Sequence, residues 1–71
     1  MPTIVYSYSR STVFAHPLKP DHAKAMIEAS EKRDVWPIRA PGAKKAEKMQ
    51  AFDHPFQGLF YVPVHTLEAA A

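Results

Sequence analysis

Phe56-Gln57-Gly58-Leu59-Phe60-Tyr61-Val62-Pro63-Val64-His65 (FQGLFYVPVH, residues 56–65) is the stretch on which the fold turns. Side chains alternate along an extended strand, so Leu59, Tyr61 and Pro63 share one side while Phe60, Val62 and Val64 share the other. Both sides are apolar, and a strand of that kind needs cover on both faces. Pro63 has no N–H to donate to a ladder, which argues for an edge position, and Gly58 suits a bulge or a close backbone approach. The pattern predicts a strand over residues 59–65, at or near a sheet edge and available to a partner.

A strand needs a partner strand, and the other end of the chain supplies one. From Thr3 to Tyr8, Ile4, Tyr6 and Tyr8 alternate with Val5, Ser7 and Ser9, the period of a half-buried strand. Continuing unbroken to His16 exceeds the usual ~3 to 10 residues. A reversal at Ser9, Arg10 and Ser11 therefore gives a hairpin of Thr3 to Tyr8 with Thr12 to Ala15, the alternative being one long bent strand. His16-Pro17-Leu18-Lys19-Pro20 reads as a connector, since each proline lacks an N–H and disfavours α geometry in the residue before it.

Between the two ends the spacing turns helical. Asp21 is a candidate N-cap, and Ala23, Met26, Ile27 and Ser30 then fall on one face, which predicts a helix from Asp21 to Arg33. Glu28 and Lys32 stand in the favourable i, i+4 order, and Lys32 and Arg33 suit the C-terminal end of the dipole. Val35-Trp36-Pro37-Ile38 is apolar and broken by proline, so it is expected to be extended or irregular, with Trp36 plugging one edge of the core. Ala40-Pro41-Gly42 is a turn or the entrance to a second helix. Propensity favours helix from Ala43 to Phe52, with Ala46 and Met49 inward and Lys44, Lys45 and Lys48 outward. Asp53-His54-Pro55 stops it. Glu68-Ala69-Ala70-Ala71 reads as a frayed end. The fold class is α+β: one small domain over residues 1–71, with a small antiparallel sheet, the N-terminal hairpin plus the C-terminal strand, packed on one or two α-helices.

Composition limits the function classes. Hydrophobic residues at 46%, charged residues at 23% and a net charge of +2 belong to globular chains. A chain of this length hides only about 60% of its unfolded surface. With no cysteine, disulfides, iron–sulfur clusters and thiolate zinc sites are excluded, so reinforcement is expected from association. No apolar run approaches the ~18 residues of a spanning helix, and no signal-peptide pattern opens the chain, so a cytoplasmic protein without membrane partner is expected.

Catalytic patterns are missing. Gly42 and Gly58 are the two glycines, so no glycine-rich oxyanion or phosphate loop can form, and neither GxSxG nor HExxH is present. Ser7, Ser9 and Ser11 read as strand hydroxyls rather than nucleophiles. His16, His22, His54 and His65 fit no metal-ligand spacing and are read as polar punctuation, with no metal and no cofactor. No enzymatic activity and no small-molecule substrate are expected.

Binding remains. Trp36, Phe56, Phe60, Tyr61, Tyr6 and Tyr8 are more aromatic surface than so small a core readily hides, and aromatics are the commonest interface anchors. The expected function is a non-catalytic protein-binding regulator, inhibitor or adaptor using an exposed aromatic strand or edge, with a homodimer as one form of the association. The alternative is a nucleic-acid-binding protein, in which strand aromatics stack on bases while Lys44, Lys45, Lys48, Arg10 and Arg39 meet phosphates.

Overall fold

The computed structural model describes residues 1–70. Strands β1 (Thr3–Ser9) and β2 (Thr12–Leu18) are followed by helix α1 (Pro20–Ala29), strands β3 (Glu31–Ile38), β4 (Glu47–His54) and β5 (Gly58–Pro63), and helix α2 (Val64–Ala70). The five strands form one antiparallel sheet in the order β2-β1-β5-β4-β3. An N-terminal hairpin and a C-terminal meander thus meet where β5 slots beside β1, with Tyr6 opposite Tyr61. The α+β architecture expected from the sequence is present, and the two chain ends do pair.

The hairpin follows from alternation and a tight reversal. Thr3 lies opposite Leu18 and Ser9 opposite Thr12. Arg10 and Ser11 both take positive φ, 50° and 68°, the geometry that a two-residue turn needs to match strand twist. β2 runs further than expected: the supposed connector His16-Pro17-Leu18 is its last turn of strand. Because β2 is an outer strand, Pro17 can lack an N–H without interrupting a ladder.

Helix α1 starts one residue earlier and ends four residues sooner than the spacing implied. Lys19, not Asp21, is the N-cap, and Pro20 opens the helix with its φ already helical. The Ser30 hydroxyl donates to the Met26 carbonyl, and Ser30 itself is extended (φ −102°, ψ 155°). Glu31, Lys32 and Arg33 then begin β3, so the Glu28–Lys32 helical pair does not form.

The second helix expected over residues 43–52 is absent, and β4 stands in its place. Pro41 and Gly42 (φ 78°) form a turn closed by Ala43 N–H to Ala40 O at 3.0 Å, which leads β3 back into β4. Met49, Gln50, Ala51 and Phe52 are buried in succession, because β4 has a neighbour on each side and cover on both faces. Pairing across the sheet overrides the helix propensity of Ala, Lys, Glu and Met.

β5 is likewise an inner strand, between β1 and β4, and not the edge that Pro63 implied. Pro63 is its last residue and is buried opposite Met49. Val64 and His65, expected to extend the strand, begin α2, which also takes in Glu68 and Ala69 from the supposed frayed end.

The register sorts side chains onto two faces. One face carries Val5, Phe52, Phe60 and Val62, packed under Met26 and Ile27 of α1 and Leu67 of α2, with Leu18 beside them. Both helices thus seal the same face, leaving the opposite one for the site.

Candidate functional site

The helix-free face presents Tyr6 and Tyr8 from β1, Tyr61 from β5, Met49 and Ala51 from β4, and Trp36 and Ile38 from β3, as the paired positions require. Met49, Ala51 and Ile38 are buried there, while Tyr8 and Trp36 remain 50% and 54% exposed. Small and aliphatic side chains make the floor, and aromatic rings rise from it.

Tyr8, Trp36, Pro37, Ile38 and Tyr61 border one cleft of about 230 Å³. β1 and β3 are separated by β5 and β4, and because the two run in opposite directions Tyr8 and Trp36, each near the C-terminal end of its strand, lie toward opposite ends of the sheet. A flat sheet would hold them far apart, so their meeting at one cleft reflects the coiling that comes with right-handed strand twist. The small Ala51, opposite Tyr61, leaves room for it. Tyr8 and Tyr61 meet edge to face, with centroids 5.6 Å apart and planes at 88°, the arrangement that ring quadrupoles favour.

Three of the aromatic residues singled out from the sequence therefore come together: Tyr8, Trp36 and Tyr61. Tyr6 shares their face but does not line the cleft. Phe56 stands 91% exposed in the β4–β5 turn, tilted against the His54 ring at 6.2 Å. Phe60 is buried in the core beneath the helices and so is removed from any binding surface by its own packing. Trp36 does not plug the core. Pro37 and Ile38 were missed as site residues, although the i, i+2 relation of Trp36 and Ile38 was a signal that both face one way.

The cations do not form the lysine-faced helix expected of them. Lys44 and Lys45 lie in the β3–β4 connection, and Lys48 is in β4 opposite Pro37, on the other side of the strand from Met49. Arg10 sits in the β1–β2 turn and Arg39 follows β3; both are exposed, and neither is ion-paired among the described residues. Arg33 is engaged, 3.1 Å from Asp53 and 3.5 Å from Glu31.

The histidines each have a local task. His54 Nδ1 accepts the backbone N–H groups of Phe56 and Gln57, both at 3.1 Å, which ties off the β4–β5 turn. His65 Nδ1 lies 2.9 Å from Glu47 at the surface. His16 Nε2 is 2.8 Å from the Ser7 hydroxyl in a second cleft, of about 330 Å³, which His22 also lines. No group of three or more histidine and acidic side chains placed to hold a metal occurs among the described residues. A serine–histidine contact needs an orienting third group and an oxyanion site to become a nucleophile, and no carboxylate contacts His16 among the described residues. Another cleft, of about 400 Å³ between α1 and α2, is walled by Ala23, Ile27, Val62 and Leu67. The aromatic cleft differs from it in combining an apolar floor with phenol and indole groups that can direct hydrogen bonds.

No helix among the described residues is long and apolar enough to cross a membrane. Compared with known proteins, the chain matches no family model, no curated protein and no solved structure.

Proposed function

We propose that this chain is a non-catalytic protein-binding protein, acting as a regulator, inhibitor or adaptor through the helix-free face of its sheet. The observation that carries the reading is the pair of large aromatic side chains, Tyr8 and Trp36, left half-exposed over one cleft while both helices cover the opposite face. Tyr and Trp in a desolvated, well-packed setting are the residues that anchor interfaces. Strands β2 and β3, the two outer strands, carry Pro17 and Pro37, and β3 adds a register shift between Lys32 and Val35. Prolines, bulges and charges are the devices that keep edges from pairing, so recognition through the sheet's face is favoured over strand addition. A second copy of the chain is one protein such a face can receive.

The test is capture from source-cell lysate by the tagged full chain, with and without nuclease, beside the Trp36→Ala variant. A protein retained in both nuclease arms and lost with Trp36→Ala supports the reading. Capture indifferent to Trp36→Ala overturns the assigned surface. Capture that disappears with nuclease transfers the function to nucleic-acid binding, with Arg10, Arg39, Lys44, Lys45 and Lys48 as the groups to remove.

A further inference from the structure

We infer that the cleft between β2 and α1 binds a soft monovalent metal ion, copper(I), through the imidazoles of His16 and His22 and the thioether of Met26. All three residues line this one cleft of about 330 Å³. It lies on the helix-covered side of the sheet, away from Tyr8 and Trp36, so the site is independent of the protein-binding surface. Histidines and carboxylates by themselves do not gather in threes among the described residues, and the thioether supplies the third donor.

The fold brings these donors together from two elements. His22 and Met26 stand four residues apart on α1, a spacing that puts two side chains on one face with Cβ atoms ~5 to 6 Å apart. Helical side chains lean toward the N-terminus, which directs the Met26 thioether toward the turn carrying His22. Met26 is half-buried and packs against the core cluster, so its position is held. His16 lies opposite Val5, and cross-strand partners share a face, so His16 is on the side that α1 covers. A single residue, Lys19, joins β2 to α1 and keeps strand and helix adjacent.

Ser7 is a positioning residue for one ligand. Its hydroxyl oxygen lies 2.8 Å from His16 Nε2. In the tautomer whose Nε2–H donates to Ser7 Oγ, the Nδ1 lone pair is free for a metal. An outer partner of this kind fixes the orientation of a ligating ring and raises its basicity.

Donor chemistry selects the ion. A thioether is a soft ligand that favours copper(I), and imidazole suits copper as well. No carboxylate, lysine or arginine lines the cleft, and Asp21, next to His22 in the chain, faces the separate cleft between α1 and α2. Hard cations such as magnesium and calcium, which require oxygen ligands, therefore find no suitable set. Three neutral donors leave the charge of the ion uncompensated beside the apolar Val5, Leu18 and Phe60. Desolvation cost grows with the square of the charge, so a monovalent ion is accommodated far more readily there than a divalent one.

The full chain is titrated by NMR with silver(I), an air-stable ion of the same charge and ligand preference. Copper(I) under anaerobic ascorbate is the confirming arm and zinc(II) the contrast. The chain has three methionines, Met1, Met26 and Met49, whose methyl signals separate the site from the terminus and from the buried Met49. One silver ion per chain is expected, with saturable shifts at the Met26 methyl and at the ring protons of His16 and His22, and zinc(II) at least tenfold weaker. Met26→Leu removes the sulfur while conserving volume, and His22→Ala acts at an exposed position. Each should weaken silver(I) at least tenfold. Ser7→Ala should weaken it about tenfold and Ser7→Thr restore it. Circular dichroism of each variant confirms folding, and the wild-type methyl shift decides the matter should a variant fail to fold. No saturable shift at Met26, shifts confined to Met1, His54 or His65, unchanged affinity in Met26→Leu, or tighter binding of zinc(II) than of silver(I) each overturns the inference.

Discussion

Phe52 and Phe60 lie directly opposite each other on β4 and β5, and their rings stack with centroids 5.4 Å apart and planes 23° from parallel. Both are buried with Val5 and Val62 at the centre of the helix-covered core. Phe60→Ala removes a buried ring and leaves a cavity, at a cost of about 3 to 5 kcal/mol. A chain of this size has roughly 4 to 10 kcal/mol in all. Urea denaturation should therefore find Phe60→Ala largely unfolded near room temperature, whereas Trp36→Ala, at a half-exposed position, should shift the midpoint little. A cooperative transition close to wild type in Phe60→Ala would show that the ring does not hold the core.

Gln50 is the one buried polar side chain among the described residues, at 5% exposure. Its amide donates to the Arg33 carbonyl and, at 3.1 Å, to the Ala51 carbonyl, where β3 breaks register. It thus supplies a donor to backbone carbonyls of β3 and β4 beside the register shift. Gln50→Leu should lower stability by about 1 to 3 kcal/mol by stranding those acceptors. Gln50→Glu should cost more, because a buried carboxylate would face carbonyl oxygens. Thermal melts of the two variants should rank wild type above Leu above Glu.

The His54 ring accepts two backbone N–H groups across the β4–β5 turn, the service that an Asx side chain performs in other turns. His54→Ala should lose about 0.5 to 2 kcal/mol, in line with the removal of a capping acceptor, and His54→Asn should recover part of that. Hydrogen exchange at Phe56 and Gln57 should accelerate in His54→Ala. Unchanged exchange at both amides would mean that the turn closes without the ring.

Ser11 holds φ at 68° in a two-residue hairpin turn, a region where a side chain is strained. Ser11→Gly relieves that strain against a greater loss of chain entropy on folding, and a net gain of up to ~1 kcal/mol is expected. Gly58 (φ 81°) is the converse case: open space surrounds it, so Gly58→Ala should cost about 1 kcal/mol through backbone conformation alone. Chemical denaturation midpoints moving in opposite directions for the two variants would bear out both assignments.

Local chemistry was sufficient wherever one short segment settled its own conformation. The alternation of Ile4, Tyr6 and Tyr8, the apolar spacing of α1, and the two-sided character of Leu59 to Val62 were legible as strand, helix and strand, whereas the proline that opens α1 was read as connector. The Pro41-Gly42 turn was legible too, though its choice between leading into a strand and leading into a helix was not. The site was half legible: the aromatic residue types marked a binding surface and alternation set Phe60 and Tyr61 on opposite sides, but nothing local showed that the helices would cover the side of Phe60 and leave that of Tyr61 open.

Tertiary structure decided the rest, because the deciding interactions are non-local. Glu47 to Phe52 is good helix sequence taken alone, and it becomes a strand because β3 and β5 offer ladders on both sides and each face finds apolar cover. Pro63 marks an edge only if its neighbours are unknown; as the last residue of β5 it sits inside the sheet without interrupting a ladder. The cleft itself exists only because coiling brings β1 and β3 toward each other across two intervening strands. Residue types made this chain a small α+β protein rich in aromatic surface; strand order and sheet twist determined which of those rings are buried and which meet at a site.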